Sequence, residues 1–586
     1  MDNFAMSMKM SIRSALVCIL FLAGCRKAVP QPVPEPGPQE NPVEQEKPKP
    51  GEYTLPLIET TDIHGYIVNE ENTIIHYRLA YIADKVNDIR GNDRDRLLLL
   101  DGGDIYQGAS FSNLLEGRPV YIAMDIMGYD AVAVGNHEFD WDFYTMIDPD
   151  ATMPDYEWMG ASFVNSVPVL CANLYRNGSR EASTKDYVIV EKSAVNADGE
   201  AIKVRIGIIG FAIDYAGSIM QSKFIDKGFS IREDYSIAND IARELESTGQ
   251  CDATVLLIHG AADNAAESLG SSVIDLVLGG HSHTTMTGKT ASGIAYLQGG
   301  RYAEHFASAS LTFTVDADGS TSFTRVNGLK IASVDSSHDL HSVAGQNAAD
   351  LDDDILAVSE YAVSATSEQS GDVVGYITVG ATTYPIDGSG GRSCIMANWM
   401  CDIIRRIGEA DVAFVNGGGV RTRLPLNGQS KLYVTVSDVY EMFPFNNTTY
   451  VYDLSYEELL RVFDYSMTNG GSSLFSSMTG INCYFTDYKV LSLRKDGVVI
   501  YQNGKWVDDW ASRRVRLAVS EYLATSQRVD NHTGMGNPLI EWNGTSRLLS
   551  SDKVDNENAV LVLRAESATS GGHLYIDTAT HLIYSN

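Results

Sequence analysis

Positive charge is what this 586-residue sequence has least of: 44 lysines and arginines stand against 76 aspartates and glutamates, for a formal charge of −32. The deficit argues against DNA or RNA polymers as ligands, because affinity for those rests on cationic neutralisation of many phosphates. A small anionic ligand needs only a local positive spot, which metal ions can supply. Cysteine is equally sparse. Outside the first 25 residues it occurs at Cys171, Cys251, Cys394, Cys401 and Cys483, an odd number without CxxC spacing, so neither a zinc knuckle nor a disulfide framework can be read. These read as small core residues. The apolar run over residues 15–23 is too short for a comfortable membrane span.

That run, preceded by Lys9 and Arg13 and ending in Leu22-Ala23-Gly24-Cys25, reads as an export signal. Its tetrapeptide resembles a bacterial lipobox. The resemblance implies cleavage before Cys25, lipid on its thiol and a lipid-anchored protein of the cell envelope. Residues 26–51 carry most of the closely spaced prolines, with Gln, Glu and Lys between them, and read as an extended tether. The remaining length is too great for one hydrophobic core. The pattern predicts a larger domain over 52–332, a connector over 333–370 containing a helix, and a second, smaller domain over 371–586.

Both domains have an α/β pattern. In the first, short apolar runs at 55–58, 97–100, 131–134, 204–209, 255–258 and 276–278 predict buried strands. Leu79, Ile82, Val86 and Ile89, and then Ile237, Ile241 and Leu245, recur at helical spacing. In the second, helices are expected over 395–407 and 456–467, with strands over 412–415 and 559–563. Polar clusters fall at the ends of five of the strands: Asp62-Ile63-His64, Asp101-Gly102-Gly103-Asp104, Gly135-Asn136-His137, His259, and Gly279-Gly280-His281-Ser282-His283. Ligands in α/β sheets gather at the carboxyl ends of strands, so these five clusters are expected to meet.

Asp62-x-His64 and His281-x-His283 each put two ligand-type side chains on one face at strand spacing. The glycines before Asp104 and His281 let backbone bend tightly around a centre. A carboxylate such as Asp104 can bridge two metals, Asn136 offers a neutral carbonyl, and His259 ends an apolar strand where a charged imidazole is costly. Singly, each has an ordinary reading as a turn or a solvated loop residue. Together they bring five of the twelve histidines to strand ends and describe a site for two cations with mixed nitrogen and oxygen ligands.

The order Asp62-Ile63-His64, Gly103-Asp104, Gly135-Asn136-His137-Glu138-Phe139-Asp140, His259 and Gly280-His281-Ser282-His283 resembles calcineurin-like metallophosphoesterases. Its Gly-Asn-His-Glu-Phe-Asp motif is similar to that of the 5′-nucleotidase and UDP-sugar hydrolase family. The resemblance implies an α/β-sandwich catalytic domain with a smaller α/β substrate-binding domain behind it. It further implies that Asp62, His64, Asp104 and His283 hold one metal, that Asp104, Asn136, His259 and His281 hold the other, and that His137 with Asp140 stabilises phosphoryl or leaving-group charge. The ligand types accommodate Zn, Mn, Co or Fe. Two such cations about 4 Å apart lower the pKa of a bound water and orient it toward phosphorus.

In the second half, Asn416-Gly417-Gly418-Gly419-Val420-Arg421 and Phe443-Pro444-Phe445-Asn446-Asn447 match loops that hold substrate in the family, carrying over Asn416, Arg421 and Phe445. Tyr522 stands where an aromatic residue stacks on the base, and Arg392 is a displaced counterpart of a substrate-gripping arginine. Arg528 occupies the place of the family's ribose-binding aspartate. The expected substrate is therefore a nucleoside 5′-monophosphate or a related small phosphoester. Nucleotide sugars, 2′,3′-cyclic nucleotides and non-nucleotide phosphoesters are the alternatives, with a non-catalytic ligand-binding lipoprotein as a lesser one.

Overall fold

A computed structural model describes residues 47–584 except 72–73, 116, 141–142, 144–151, 159–160, 165–166, 215–222, 226, 335–350, 385, 387–392, 446, 469–476, 487–488 and 526–546. The export signal with Cys25, nearly all of the tether, Arg392 and Arg528 lie outside the described residues. Among the described residues no helix is long and apolar enough to cross a membrane.

Every apolar run singled out in the first half forms a strand. The first half builds a sheet from β1 (Gly51–Thr60), β2 (Leu98–Asp101), β3 (Ala131–Ala133), β4 (Val169–Leu170), β5 (Tyr187–Val195), β6 (Ala201–Ala212), β7 (Ala253–His259), β8 (Leu276–Leu278), β9 (Thr285–Lys289), β10 (Ala295–Gly299), β11 (His305–Val315) and β12 (Thr321–Ser333). One block runs β4-β3-β2-β1-β11-β12, with β1 to β4 mutually parallel and β11 antiparallel to β1 from Gly51↔Val315 to Glu59↔Ala307. The other runs β9-β10-β8-β7-β6-β5, with β6, β7, β8 and β10 parallel. The single pairing Thr54↔Val195 joins the blocks.

Alternation along the strands explains how the blocks stack. Tyr53, Leu55 and Leu57 of β1 point into one buried cluster with Leu98, Leu100, Val204, Ile206, Val255 and Leu257, so this core lies between the two blocks. The opposite faces are covered by helices. Ile58, Leu99 and Val132 pack under Leu79, Ile82 and Val86 of the helix Arg78–Arg90 and Val120 of the helix Arg118–Met127. Ile209, Phe211, Leu256 and Ile258 pack under the helices Ser236–Ser247 and Ala262–Leu269. The result is a four-layer α/β/β/α sandwich. Ile89, expected on the apolar face of its helix, is 40% exposed.

Beyond residue 333 one expectation is met and one changes. The connector contains the helix Asp353–Ser370, whose Ile355, Val358 and Ala362 are buried in the first-half core, so it packs as a layer of the sandwich. Residues 559–563, expected as a strand, lie inside the helix Asp555–Ser570. There Ala559, Val560 and Leu563 are buried while Leu561 is 63% exposed, a helical face that the short apolar run Ala-Val-Leu-Val-Leu hides. The helix Ile395–Ile407 and strand Val412–Val415 have the expected bounds, and the helix Tyr456–Thr468 runs one residue further. Trp399, Ile403 and Ile407 of the first pack with Val439 and Leu563 into a second-half core. Two five-stranded sheets and a two-stranded one, Val373–Ile377 with Leu432–Thr435, carry the described strands of this half. The five described free cysteines are buried.

Candidate metal centre and adjoining pocket

Parallel strands within each block carry the five polar clusters to one edge of the sandwich. His259 is the last residue of β7, and Asp62, Asp104, Asn136 and His281 follow their strands within three residues. The loops approach so closely that side chains have no room. A Cβ on Gly102 would lie 2.5 Å from Thr61 Oγ1 and 2.7 Å from the Gly279 carbonyl, and one on Gly280 2.4 Å from Thr61 Oγ1. Bending itself is done by the ligand-type residues. Asp62, His64, Asp104, His281 and His283 all have φ between 50° and 70°, a left-handed conformation that costs a non-glycine residue roughly 1–2 kcal/mol. Strain repeated at five neighbouring polar residues marks a built site.

The donor atoms fall into two groups that share one residue. Asp62, His64, Asp104 and His283 converge, as do Asp104, His259 and His281, each group with ligand atoms within 4.8 Å of one another. The shared atom is Asp104 Oδ2, 3.7 Å from His64 Nε2 and 3.2 Å from His259 Nε2. Asp104 Oδ1 instead accepts from the His137 backbone N–H at 2.8 Å. His283 Nε2 lies 3.4 Å from Asp62 Oδ1 and 3.1 Å from His64 Nε2. Asn136 Oδ1 joins the second group, 2.8 Å from His281 Nδ1.

Hydrogen bonds behind the centre set the imidazole tautomers. His64 Nδ1 donates to the Gln107 carbonyl and His259 Nδ1 to the Gly102 carbonyl, each at 2.7 Å, turning Nε2 of both rings inward. Burial holds His64 well below the usual imidazole range, pushes His281 down to about 4 with help from His259, and pushes His283 down to about 3 with help from Arg421. Three rings are thus neutral, the form that ligates. Burial opposes the cation of His259 too, but Asp104 outweighs it and raises this ring to about 10. In the metal-free protein a proton between His259 and Asp104 compensates the buried negative charge. Carboxylates, neutral imidazoles and one amide oxygen around a shared carboxylate fit two divalent cations of the Zn, Mn, Co or Fe type.

His137 lies beside this centre, its Nδ1 2.7 Å from Asp140 Oδ2 and its ring edge-on to His64 at 5.1 Å. Burial disfavours its cation, but Asp140 and Asp104 outweigh that and hold the imidazole above its ordinary range. The cavity over the centre is lined by Asp104, Asn136, His137, Asp140, His281 and His283 from the first half. From the second half come Asn416, Arg421, Phe445 and Tyr522, all four read from the sequence, together with Asn447. Phe445 stacks on His137 at 5.4 Å and 20°, and the Arg421 guanidinium lies over the Phe445 ring at 5.2 Å. Asn447 was not singled out. Its Oδ1 is buried without a hydrogen-bond partner among the described residues, a state that a ligand donor relieves.

Glu138 was also missed as a working residue, although it lies inside the quoted motif. Its Oε2 accepts from the backbone N–H groups of Asp104 (2.9 Å) and Gly135 (2.7 Å), and its Oε1 from Ile105 (2.8 Å). This carboxylate ties the loop of the shared ligand to the loop of Asn136.

Residues 373–529 match the family model of the 5′-nucleotidase C-terminal domain. Protein UshA of Yersinia enterocolitica is 29% identical over 247 residues, 39% of this chain and 40% of that protein. The alignment thus spans about two fifths of that relative's length. A 5′-nucleotidase of Diplobatis ommata is 24% identical over 481 residues, 74% of each chain. Among solved structures, a 5′-nucleotidase precursor from Thermus thermophilus superposes with a TM-score of 0.64 at 19% identity, covering 91% of this chain and 100% of that one. That likeness establishes the two-part α/β fold.

Proposed function

We propose that this chain, a member of the 5′-nucleotidase family, is a two-metal hydrolase of nucleoside 5′-monophosphates or closely related small phosphoesters. The observation that carries the reading is Asp104 Oδ2. One carboxylate oxygen is shared by two groups of cation ligands on the floor of a cavity whose other wall holds Arg421, Phe445 and Tyr522.

When bound, the two cations supply the charge that neutralises phosphoryl oxygens and acidifies water for attack on phosphorus. The chain's own residues do the rest. Asp62, His64, Asp104 and His283 hold one cation, and Asp104, Asn136, His259 and His281 the other. His137, whose protonated form Asp140 favours against the opposing effect of burial, presents its Nε2 proton to the phosphoryl or leaving-group oxygen as negative charge grows there. Arg421, 2.6 Å from the Gly418 carbonyl through Nε, directs its remaining donors at the phosphate. Phe445 and Tyr522 offer aromatic faces to a planar leaving group, and Asn416 and Asn447 offer amides to its polar edge.

The lipobox-like Leu22-Ala23-Gly24-Cys25 supports a place at the cell envelope, where hydrolysis releases phosphate and an uncharged product. One feature favours a second reading: Arg528 replaces an aspartate expected to hold the ribose diol, which suits a further phosphate or an acidic sugar. Phosphate release from AMP, UDP-glucose, 2′,3′-cyclic AMP and a plain aryl phosphate by metal-repleted protein separates them. AMP is expected to be turned over with the highest kcat/KM. Activity confined to the aryl ester refutes nucleotide recognition, and inactivity on all four with two metals bound refutes catalysis.

A further inference from the structure

Gln107 follows the shared ligand Asp104 by three residues and is 1% exposed, yet it belongs to neither metal group. Its two ends touch the two halves of the site. The main-chain carbonyl accepts the His64 Nδ1 proton at 2.7 Å, and the side-chain Nε2 donates to the carbonyl of Pro444. Asn113 Nδ2 donates to the same carbonyl at 3.1 Å. Pro444 immediately precedes Phe445, the ring stacked over His137.

The loop that makes these contacts is itself braced. Asn113 Oδ1 accepts from the Gly108 N–H at 2.9 Å, Asn113 Nδ2 donates back to the Gly108 carbonyl at 3.0 Å, and the Ala109 N–H donates to the His64 carbonyl at 2.8 Å. A Cβ on Gly108 would stand 2.5 Å from that His64 oxygen, so loop and ligand move as one piece. At the first residue of the helix that ends in Asn113, Ser110 Oγ meets Ser437 Oγ of the second half at 2.5 Å. The Gln107 amide orientation is decided by Pro444: reversing it would set two carbonyl oxygens against each other, and Oε1 as it stands has no partner among the described residues.

Resting on the phosphoester reading above, we infer that Gln107, with Asn113, is a positioning residue that sets where the Phe445 ring stands over the metal centre and thereby selects esters whose leaving group is planar. A carbonyl gripped by two side-chain amides, the buried Gln107 and the half-buried Asn113, cannot shift without breaking both bonds, so the ring one residue on inherits the position of the His64 loop. An ester with an aromatic leaving group uses that position. One with an aliphatic leaving group does not.

The test is the ratio of kcat/KM for AMP to that for glycerol 3-phosphate in wild type, Gln107→Leu and Asn113→Ala, with bound metal measured alongside. Loss of one neutral hydrogen bond is worth about fivefold. The ratio is expected to fall by about that factor in each variant and further in the double variant, through KM for AMP, with metal content at the wild-type level. An unchanged ratio overturns the inference, as does a loss that appears in kcat for both esters together with loss of metal, which would assign Gln107 to His64 alone. If Gln107→Leu does not fold, Asn113→Ala carries the same comparison. Wild-type protein that hydrolyses neither ester refutes the hydrolase reading instead, and calorimetric binding of AMP then decides: equal affinity in wild type and variants overturns the role of Gln107.

Discussion

Replacing Asp140 with asparagine isolates the electrostatic part of the His137 role. The carboxylate lies 2.7 Å from Nδ1 with both side chains almost wholly buried, so the pair is a charge-assisted hydrogen bond shielded from water. An asparagine can still accept from the Nδ1 proton, so ring orientation and tautomer persist while the countercharge is removed. A hydrogen bond to a charged group in such a setting is worth about 1.5–3 kcal/mol, which corresponds to roughly 10- to 150-fold in rate. Steady-state phosphate release from AMP by metal-repleted Asp140→Asn should show kcat lowered by that factor, with KM nearly unchanged and metal content at the wild-type level. The leaving group supplies a second reading. If His137 protonates the departing oxygen, the loss shrinks for p-nitrophenyl phosphate, which needs no proton; if it stabilises a phosphoryl oxygen, both esters suffer equally. A kcat within twofold of wild type on AMP refutes the reasoning.

Asp104→Ala removes the atom common to both ligand groups, so bound metal measured by plasma emission should fall from two ions per chain to one or none; two ions retained would contradict a shared carboxylate. In the metal-free protein the His259 proton is held up to about pH 10, chiefly by Asp104 against the opposing effect of burial, and must leave before Nε2 can ligate. Metal affinity should therefore rise with pH between 7 and 10, with close to one proton per chain released from His259 in calorimetric titrations at pH 8, and affinity flat over that range would count against it. Gly135→Ala places a Cβ 2.3 Å from Asp104 Oδ1 and 2.4 Å from the Asp104 nitrogen. Overpacking of this kind costs roughly 1–3 kcal/mol, so a lower melting temperature and weakened metal binding should appear together, and a wild-type melting curve would refute the close approach.

Much of the centre is legible in the chain because strand ends are legible. Short apolar runs mark buried parallel strands, and the polar residue after each run must emerge at the same edge as its neighbours. That argument requires no distances, and it selects Asp62, His64, Asp104, Asn136, His259, His281 and His283 together. Periodicity fails where a run is too short to have a period. Residues 559–563 read as a strand in isolation, but the buried face of the helix Asp555–Ser570 includes Asp555 and Asn556, polar residues that no hydrophobic pattern includes.

By itself, then, the sequence determined the strands whose ends carry the candidate ligands and several of the helices, among them those over 395–407 and 456–468, because each is written in a contiguous stretch whose local pattern reflects its burial; Asn416, Arg421, Phe445 and Tyr522 were legible only through the resemblance of their loops to the 5′-nucleotidase family. Tertiary structure alone decided how these stretches meet. It stacked two sheet blocks with one core between them, drew the helix Asp353–Ser370 out of the connector and onto that core, and forced five ligand-type residues into left-handed backbone. It also brought Gln107 and Asn113 to Pro444 across more than 300 residues of chain. Such contacts depend on the packed positions of whole layers, and a hydrogen bond between two loops leaves no periodic trace in either of them.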